Sequence, residues 1–410
     1  MATPAKPAKL IALDDYAPLV GTAEIEELRA LARQLAGRTV KMVNSTSVGG
    51  GVAEILNRLV PLLQDVGLAT RWDVITGGDD FFEVTKGFHN ALHGAPYEVR
   101  WSAFDIFQAY QQQNLKQLHF DEDFVIIHDP QPIGLVQARE RRPAHWIWRC
   151  HIDVSRPHPL VWDFLLQYIK RYDAMLISSP AFTRPLPIPQ YLSYPSIDPL
   201  TQKNQPLEEA FVRKTLEGFG IDPKRRILTQ ISRFDRLKDP LGVIQAYKLV
   251  RRYMDCQLVL AGGSASDDPE GGQVLAEARA AAGNDPDIHI LELPPWSALE
   301  INALQRASTI IIQKSLQEGF GLTVAEALWK KKPVVASTVG GIPLQIIHKL
   351  TGLLAHSVEG AAYQIRYLLS NPAIAQRLGE NGHEHVKENF LITRNLKRYL
   401  VLFLSLSARG

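Results

Sequence analysis

The sequence predicts an α/β fold of two doubly wound domains with a cleft between them. Three observations carry this. With 410 residues the chain is too long for one ordinary core, and two domains are the natural division. Short β-rich runs alternate with helical segments through both halves, and their continuously apolar strands imply parallel sheets covered on both faces. Between the halves, "TRPLPIPQYLSYPSIDPLTQKNQPLEE" is rich in Pro and polar residues and reads as a connection. The expected division is therefore 1–204 and 205–390, with the last segment, 391–410, rejoining the first domain.

Taken in order, "MATPAKPAKL" has no apolar signal core and is expected to be a frayed tail. The first-half strands are "RTVKMVNS", "TRWDVIT", "FVIIHDP", "HWIWRCHID" and "AMLISS". The clearest helix between them carries Val52, Ile55, Leu56, Leu59 and Val60 on one face, directly after a glycine run. In the second half the strands are "RRILTQISRF", "QLVLAGG", "IHILEL", "STIIIQKS" and "KPVVAST". The final "NFLITRNLKRYLVLFLSLSARG" is helical, with Leu396, Leu400, Leu402, Leu404 and Leu406 needing cover on more than one side.

Composition excludes several classes. Lys and Arg number 45 against 43 Asp and Glu, a net +2 that gives no electrostatic footprint for nucleic acid. No apolar run approaches the roughly 20 residues of a spanning helix, so no membrane partner is expected. Cys150 and Cys256 are too few and too separate for a disulfide framework or a cysteine zinc site, which fits a reducing cytoplasm.

Ligands of open parallel sheets bind beyond the carboxyl ends of the strands, so chemistry is sought there. After "KMVNSTS" come Gly49, Gly50 and Gly51 and then a helix, a layout that lets backbone approach an anion at a helix N-terminus. By itself the run is equally a flexible turn. His128 and Asp129 follow "FVII", and Cys150, His151 and Asp153 follow "WIWR"; His128, nearest its strand interior, reads as structural. Arg233 and Lys238 stand five residues apart after another strand. Two fixed cations there suit a diphosphate, the guanidinium as a planar fork and the ammonium as a compact charge. A solvated cluster with Asp235 and Asp239 is the plainer alternative. In "SLQEGFGLTVAEALWKKKPVVAS", Glu318 lies in a glycine-flanked loop and Glu326 follows eight positions later. Thr323 and Glu326 also spell a capping box, in which Glu326 merely starts a helix. Asp267 and Asp268 in "SASDDPEGG" read as a hydrophilic loop, and no metal site is expected.

The combination of Arg233, Lys238, the E-G-F-G loop and Glu318 and Glu326 with seven residues between them resembles the retaining nucleotide-sugar glycosyltransferases of family four. These have two facing Rossmann-like domains of GT-B type. "VNSTSVGGGVAEIL", "VTKGFHNALHG", "VIIHDPQP", "WIWRCHID" and "PSIDPL" further resemble the trehalose glycosyltransferring synthases and their trehalose phosphorylase relatives. The resemblance implies that Arg233 and Lys238 bind the donor diphosphate, Glu326 the ribose and Glu318 the transferred glucose. Gly319, Phe320, Gly321 and Leu322 would offer backbone amides. Gly50 and Gly51 would close over the phosphates, His151 would lie against the sugar, and Asp129, His89 and Asn90 would face the acceptor.

The substrates so implied are a nucleoside-diphosphate glucose, glucose and trehalose, with no obligatory cofactor; divalent-ion stimulation and a homodimer are left open. Three alternatives stay open as well: a phosphorylase using inorganic phosphate, a transferase making another glucoside, and a non-catalytic nucleotide-binding protein.

Overall fold

The structure, a computed structural model, describes residues 11–48, 50–141, 144–263 and 271–408. The N-terminal tail, Gly49, Asp267 and Asp268 lie outside the described residues. Two six-stranded sheets form the frame, with every recorded strand pair parallel. The first contains β1 (Thr39–Asn44), β2 (Ala69–Val74), β3 (Phe124–His128), β4 (His145–Arg149), β5 (Ala174–Ile177) and β6 (Gln190–Leu192), in the spatial order β2-β1-β3-β4-β5-β6. The second contains β7 (Ile227–Ile231), β8 (Gln257–Gly262), β9 (Ile288–Glu292), β10 (Ile310–Gln313), β11 (Val334–Ser337) and β12 (Leu353–Ala355), in the order β12-β11-β10-β7-β8-β9.

Each apolar run read from the sequence holds one of these strands. Two strands, β6 and β12, escaped that reading, and each is a three-residue strand at a sheet edge. β6 corrects the reading of the proline-rich stretch as connection alone: its residues pair with β5, Met175 opposite Gln190. An edge strand needs one ladder only, so flanking Pro189 and Pro195 do not prevent it.

The strand orders place two crevices. In the first sheet successive connections reverse direction between β1 and β3, and in the second between β7 and β10. Such switch points leave the space beyond the strand ends open for a ligand. The segments that leave these four strands are the glycine run, the Asp129 turn, the Arg233–Lys238 turn and the Glu318 loop.

One face of the first sheet is covered by an aromatic-rich cluster that includes Phe81, Phe88, Phe107, Trp146 and Trp148. The other is covered by the helix Gly50–Asp65 together with the last helix, Ile392–Ser407. That helix buries Leu396, Leu400, Leu402, Phe403 and Leu406, and Leu404 is partly buried against the same cluster. Its chain crosses from the second sheet to the first beside Ile197, which bridges Leu391. Phe403 stacks on Phe124 with ring centroids 4.4 Å apart. Phe403→Ala should therefore open a cavity under the first sheet and cost about 3–5 kcal/mol, read as a lower urea midpoint. No helix among the described residues is long and apolar enough to cross a membrane.

Candidate active site

The turn after β7 is fixed before any ligand arrives. Asp235 caps the short helix Arg236–Lys238 by accepting from the Leu237 amide at 2.7 Å. The Lys238 carbonyl accepts from Gln230 Nε2 at 2.9 Å. The Leu237 carbonyl accepts from the Leu316 amide at 2.7 Å, which ties this turn to the glutamate loop after β10. Lys238 Nζ is thereby delivered to Glu318 Oε2, 2.8 Å away, and Ser315 Oγ reaches the same oxygen at 3.2 Å. Glu318 is 8% exposed, and these two donors satisfy the buried oxygen. Arg233 stands beside Asp235, 3.6 Å between charged atoms, and its side chain is more open to solvent.

The loop that follows passes tightly against the facing domain. A Cβ on Gly319 would lie 2.4 Å from the carbonyl oxygen of His151, so only glycine permits this approach. Phe320 turns away and is buried beside Phe390, ring centroids 5.4 Å apart, which leaves its backbone as the part facing the loop. Gly321, at φ +83°, is the N-cap of the helix Leu322–Trp329 and supplies no side chain to it. The capping-box reading of Thr323 and Glu326 is thus corrected. The helix starts one residue before Thr323, whose hydroxyl donates to Gln313 Oε1 at 3.1 Å instead. Glu326 points into a buried cluster, 2% exposed, where Gln305 Nε2 donates to Oε2 at 3.2 Å and Lys203 Nζ stands 3.4 Å from Oε1.

Across the cleft, Gly50 and Gly51 open the helix after β1. A Cβ on Gly51 would come within 3.0 Å of Leu322 Cδ1, so the glycine turn lies directly over the start of the helix Leu322–Trp329. Leu322 packs against the cores of both domains. After β3, Asp129 adopts φ 63°, a strained conformation for a residue with a Cβ, and its Oδ1 accepts from the His151 amide at 2.7 Å. Among the described residues, four non-glycines have positive φ; Asp129 and Asp239 are two of them, each at the foot of a cleft loop. His89 and Asn90 lie on the helix Asp79–Leu92, with His89 Nδ1 3.4 Å from Asn90 Oδ1.

Electrostatics keep the imidazoles of this wall neutral. Burial, then the Arg149 charge and competition with the neighbouring His128 ring, holds His151 well below its ordinary value. His89 is held well below its own by burial, then by His93, Lys86 and more weakly Arg233. These rings therefore offer hydrogen bonds and shape, not positive charge. The structure thus brings Arg233, Lys238, Glu318, Gly319, Gly51, Leu322, His151 and Asp129 to one cleft. It places Glu326 further along the helix Leu322–Trp329, and it sets His89 and Asn90 on the opposite wall beside Arg233.

Some residues of this site carried no usable signal in the sequence. His128, read as structural, has Nδ1 3.1 Å from His151 Nε2, with the rings stacked. Its place nearest the strand interior is what made it read as structural. His93 stacks edge-on to His89, ring centroids 4.8 Å apart, and burial with the Lys238 and Lys86 charges pushes it down to about 3. Lys86 approaches Asp235 of the opposite domain at 3.9 Å. Among the described residues no group of three or more His, Cys, Asp or Glu side chains is arranged to hold a metal ion.

Comparison with known proteins identifies the family and the fold. The family model described as trehalose synthase, N-terminal domain, matches residues 42–184, and that of the glycosyl transferases group 1 matches residues 212–385. A trehalose synthase of Thermococcus litoralis is 44% identical over 400 residues, covering 96% of this chain and 97% of that protein. A trehalose phosphorylase of Pleurotus pulmonarius is 27% identical, and the match covers 95% of this chain but 60% of that protein. The structure of a sucrose-phosphate synthase from Thermosynechococcus elongatus superposes with a TM-score of 0.74 at 18% identity, over 91% of this chain and all of that one. The last likeness shows the GT-B fold.

Proposed function

The chain belongs to the trehalose synthase family of the group 1 glycosyl transferases, and on that premise we propose that it moves glucose from a nucleoside-diphosphate glucose to free glucose, giving trehalose with retention at the donor carbon. The observation that carries this reading is the Lys238–Glu318 pair at the second switch point, set across from the His151 carbonyl. A cation for a diphosphate and a carboxylate for sugar hydroxyls stand side by side, 2.8 Å apart. A cytoplasmic setting fits the two cysteines, both unpaired and buried.

The chemistry follows from charge. As the anomeric carbon leaves the phosphate oxygen, negative charge grows on the nucleoside diphosphate, and Arg233 and Lys238 meet it with the amides at the start of the helix Leu322–Trp329. In this reading Lys238 exchanges its partner, Glu318, for the diphosphate as the donor enters. Glu318 is then released to accept from glucose hydroxyls. With Glu318 occupied in accepting from glucose hydroxyls, the acceptor hydroxyl attacks from the face that the diphosphate leaves, which retains the configuration without a covalent intermediate. The bond to phosphate breaks, the bond to the acceptor oxygen forms, and the departing phosphate oxygen takes the acceptor proton. Incubating the protein with glucose and each nucleoside-diphosphate glucose tests the reading; α,α-trehalose with free nucleoside diphosphate is expected, and another disaccharide or no product overturns it.

Asp129 gives the reaction a pH dependence. Burial pushes its carboxyl up to about 7, against the opposing pull of the His151 amide and Arg149. It is therefore neutral below that pH and ionised above it. If the carboxylate grips acceptor hydroxyls, KM for glucose falls as pH rises through about 7, and the effect disappears in Asp129→Asn. The linked stability runs the other way. The folded state favours the protonated acid, so stability declines from the ordinary carboxylate range up to about pH 7 and levels off above it.

A further inference from the structure

Lys203 lies in the segment between the two domains, where the sequence offered only a polar, proline-rich connection. Its ammonium is 2.5 Å from Glu54 Oε1, on the helix that opens with Gly50 and Gly51. It is also 3.4 Å from Glu326 Oε1, on the donor-side helix. One side chain thus joins three parts of the molecule, namely the first domain, the connection and the carboxylate that this account gives to the ribose. Its neighbour Asn204 is fixed as well, with Oδ1 accepting from Lys330 Nζ at 2.8 Å and the backbone carbonyl from Arg306 at 3.0 Å. The connection is therefore pinned against the second domain at this point, and Lys203 projects from a held backbone.

The chemistry of a vicinal diol suggests what such a pair does. Each ribose hydroxyl can donate one hydrogen bond and still has lone pairs to fill. A carboxylate satisfies only the donors. Glu326 already has Oε2 occupied by Gln305, so Oε1, the oxygen beside Lys203, is the one turned toward the cation. An ammonium supplies donors and accepts nothing. Carboxylate and ammonium together can answer a diol in both senses, which neither does alone.

We propose that Lys203 is the second half of the ribose-reading pair, donating to a ribose hydroxyl oxygen while Glu326 accepts from the diol, and that its bond to Glu54 brings the glycine-turn helix onto the bound nucleotide. This rests on the assignment of Glu326 to the ribose. Burial lowers the proton affinity of Lys203, and Glu326 and Glu54 more than reverse that, so the side chain is a cation. Lys330, the other lysine of this cluster, faces the Glu326 backbone carbonyl at 3.2 Å and leaves the carboxylate to Lys203.

The test is the ratio of affinities for ADP, GDP and UDP, each against its 2′-deoxy counterpart, measured by calorimetry on the full chain. Wild type is expected to prefer the ribonucleotide by roughly tenfold or more, the size of one charge-assisted hydrogen bond. Lys203→Met should bring the ratio toward one, with a lower thermal midpoint because it strands the buried Glu326 carboxylate, and Lys203→Arg should recover part of the preference. A purely structural lysine would weaken both nucleotides alike and leave the ratio unchanged, and that result overturns the proposal. If wild type discriminates and Glu326→Gln abolishes the discrimination while Lys203→Met keeps it, the proposal fails and the Glu326 assignment stands. If wild type itself does not discriminate, both fail.

Discussion

Glu318→Gln is expected to lower turnover by roughly a hundred- to a thousandfold, the cost of losing one preorganised electrostatic group that meets the transition state. The carboxylate has two duties in this account. In the empty site it neutralises Lys238 at 2.8 Å, and in the loaded site it accepts from the glucose being transferred. The amide of glutamine keeps the shape, can still accept from Ser315 and Lys238, and loses the charge. Developing positive character at the anomeric carbon is then no longer balanced by a nearby anion. The fold should tolerate the change, because Glu318 sits at the cleft and not among the apolar clusters. Turnover near wild type, measured beside an unchanged melting curve, would remove Glu318 from the reaction.

The second large effect is on nucleotide affinity. Arg233→Ala and Lys238→Ala should each weaken nucleoside diphosphate binding by about 1.5–3 kcal/mol, the worth of a charge-assisted hydrogen bond. Lys238 should be the more costly of the two. Its removal takes away a cation and also leaves the Glu318 carboxylate unpaired beside an incoming dianion, whereas Arg233 is more exposed and more screened. The double variant should cost less than the sum, because both cations act on one charge. Calorimetry that finds both single variants binding like wild type would dissolve the clamp.

Much of the fold was legible because it depends on periodicity. Strands such as "FVIIH" and "ILTQI" are buried throughout, and the helix after the glycines buries the face that its spacing defines. The short edge strands β6 and β12 were not legible. Three residues are too few to show a period, and one stood among prolines. The candidate site was legible where chemistry clusters at strand ends: Arg233, Lys238, Glu318 and the glycines. It was not legible where a contact depends on two distant segments meeting. His128 needs His151, Lys86 needs Asp235, and Lys203 needs Glu54 and Glu326, pairs separated by long stretches of chain. The Thr323–Glu326 capping box failed for a related reason. The local motif was present, but Gly321 in the left-handed region started the helix earlier and Gln313 took the Thr323 hydroxyl.

The most direct test of the central claim is the reaction run backwards. Purified protein is incubated with trehalose and either inorganic phosphate or each nucleoside diphosphate, and the sugar products are separated. A site that grips a diphosphate through Arg233 and Lys238 and a ribose through Glu326 predicts nucleoside-diphosphate glucose and free glucose in a nucleotide tube. Glucose 1-phosphate formed only with inorganic phosphate, and nothing with any nucleotide, would contradict it.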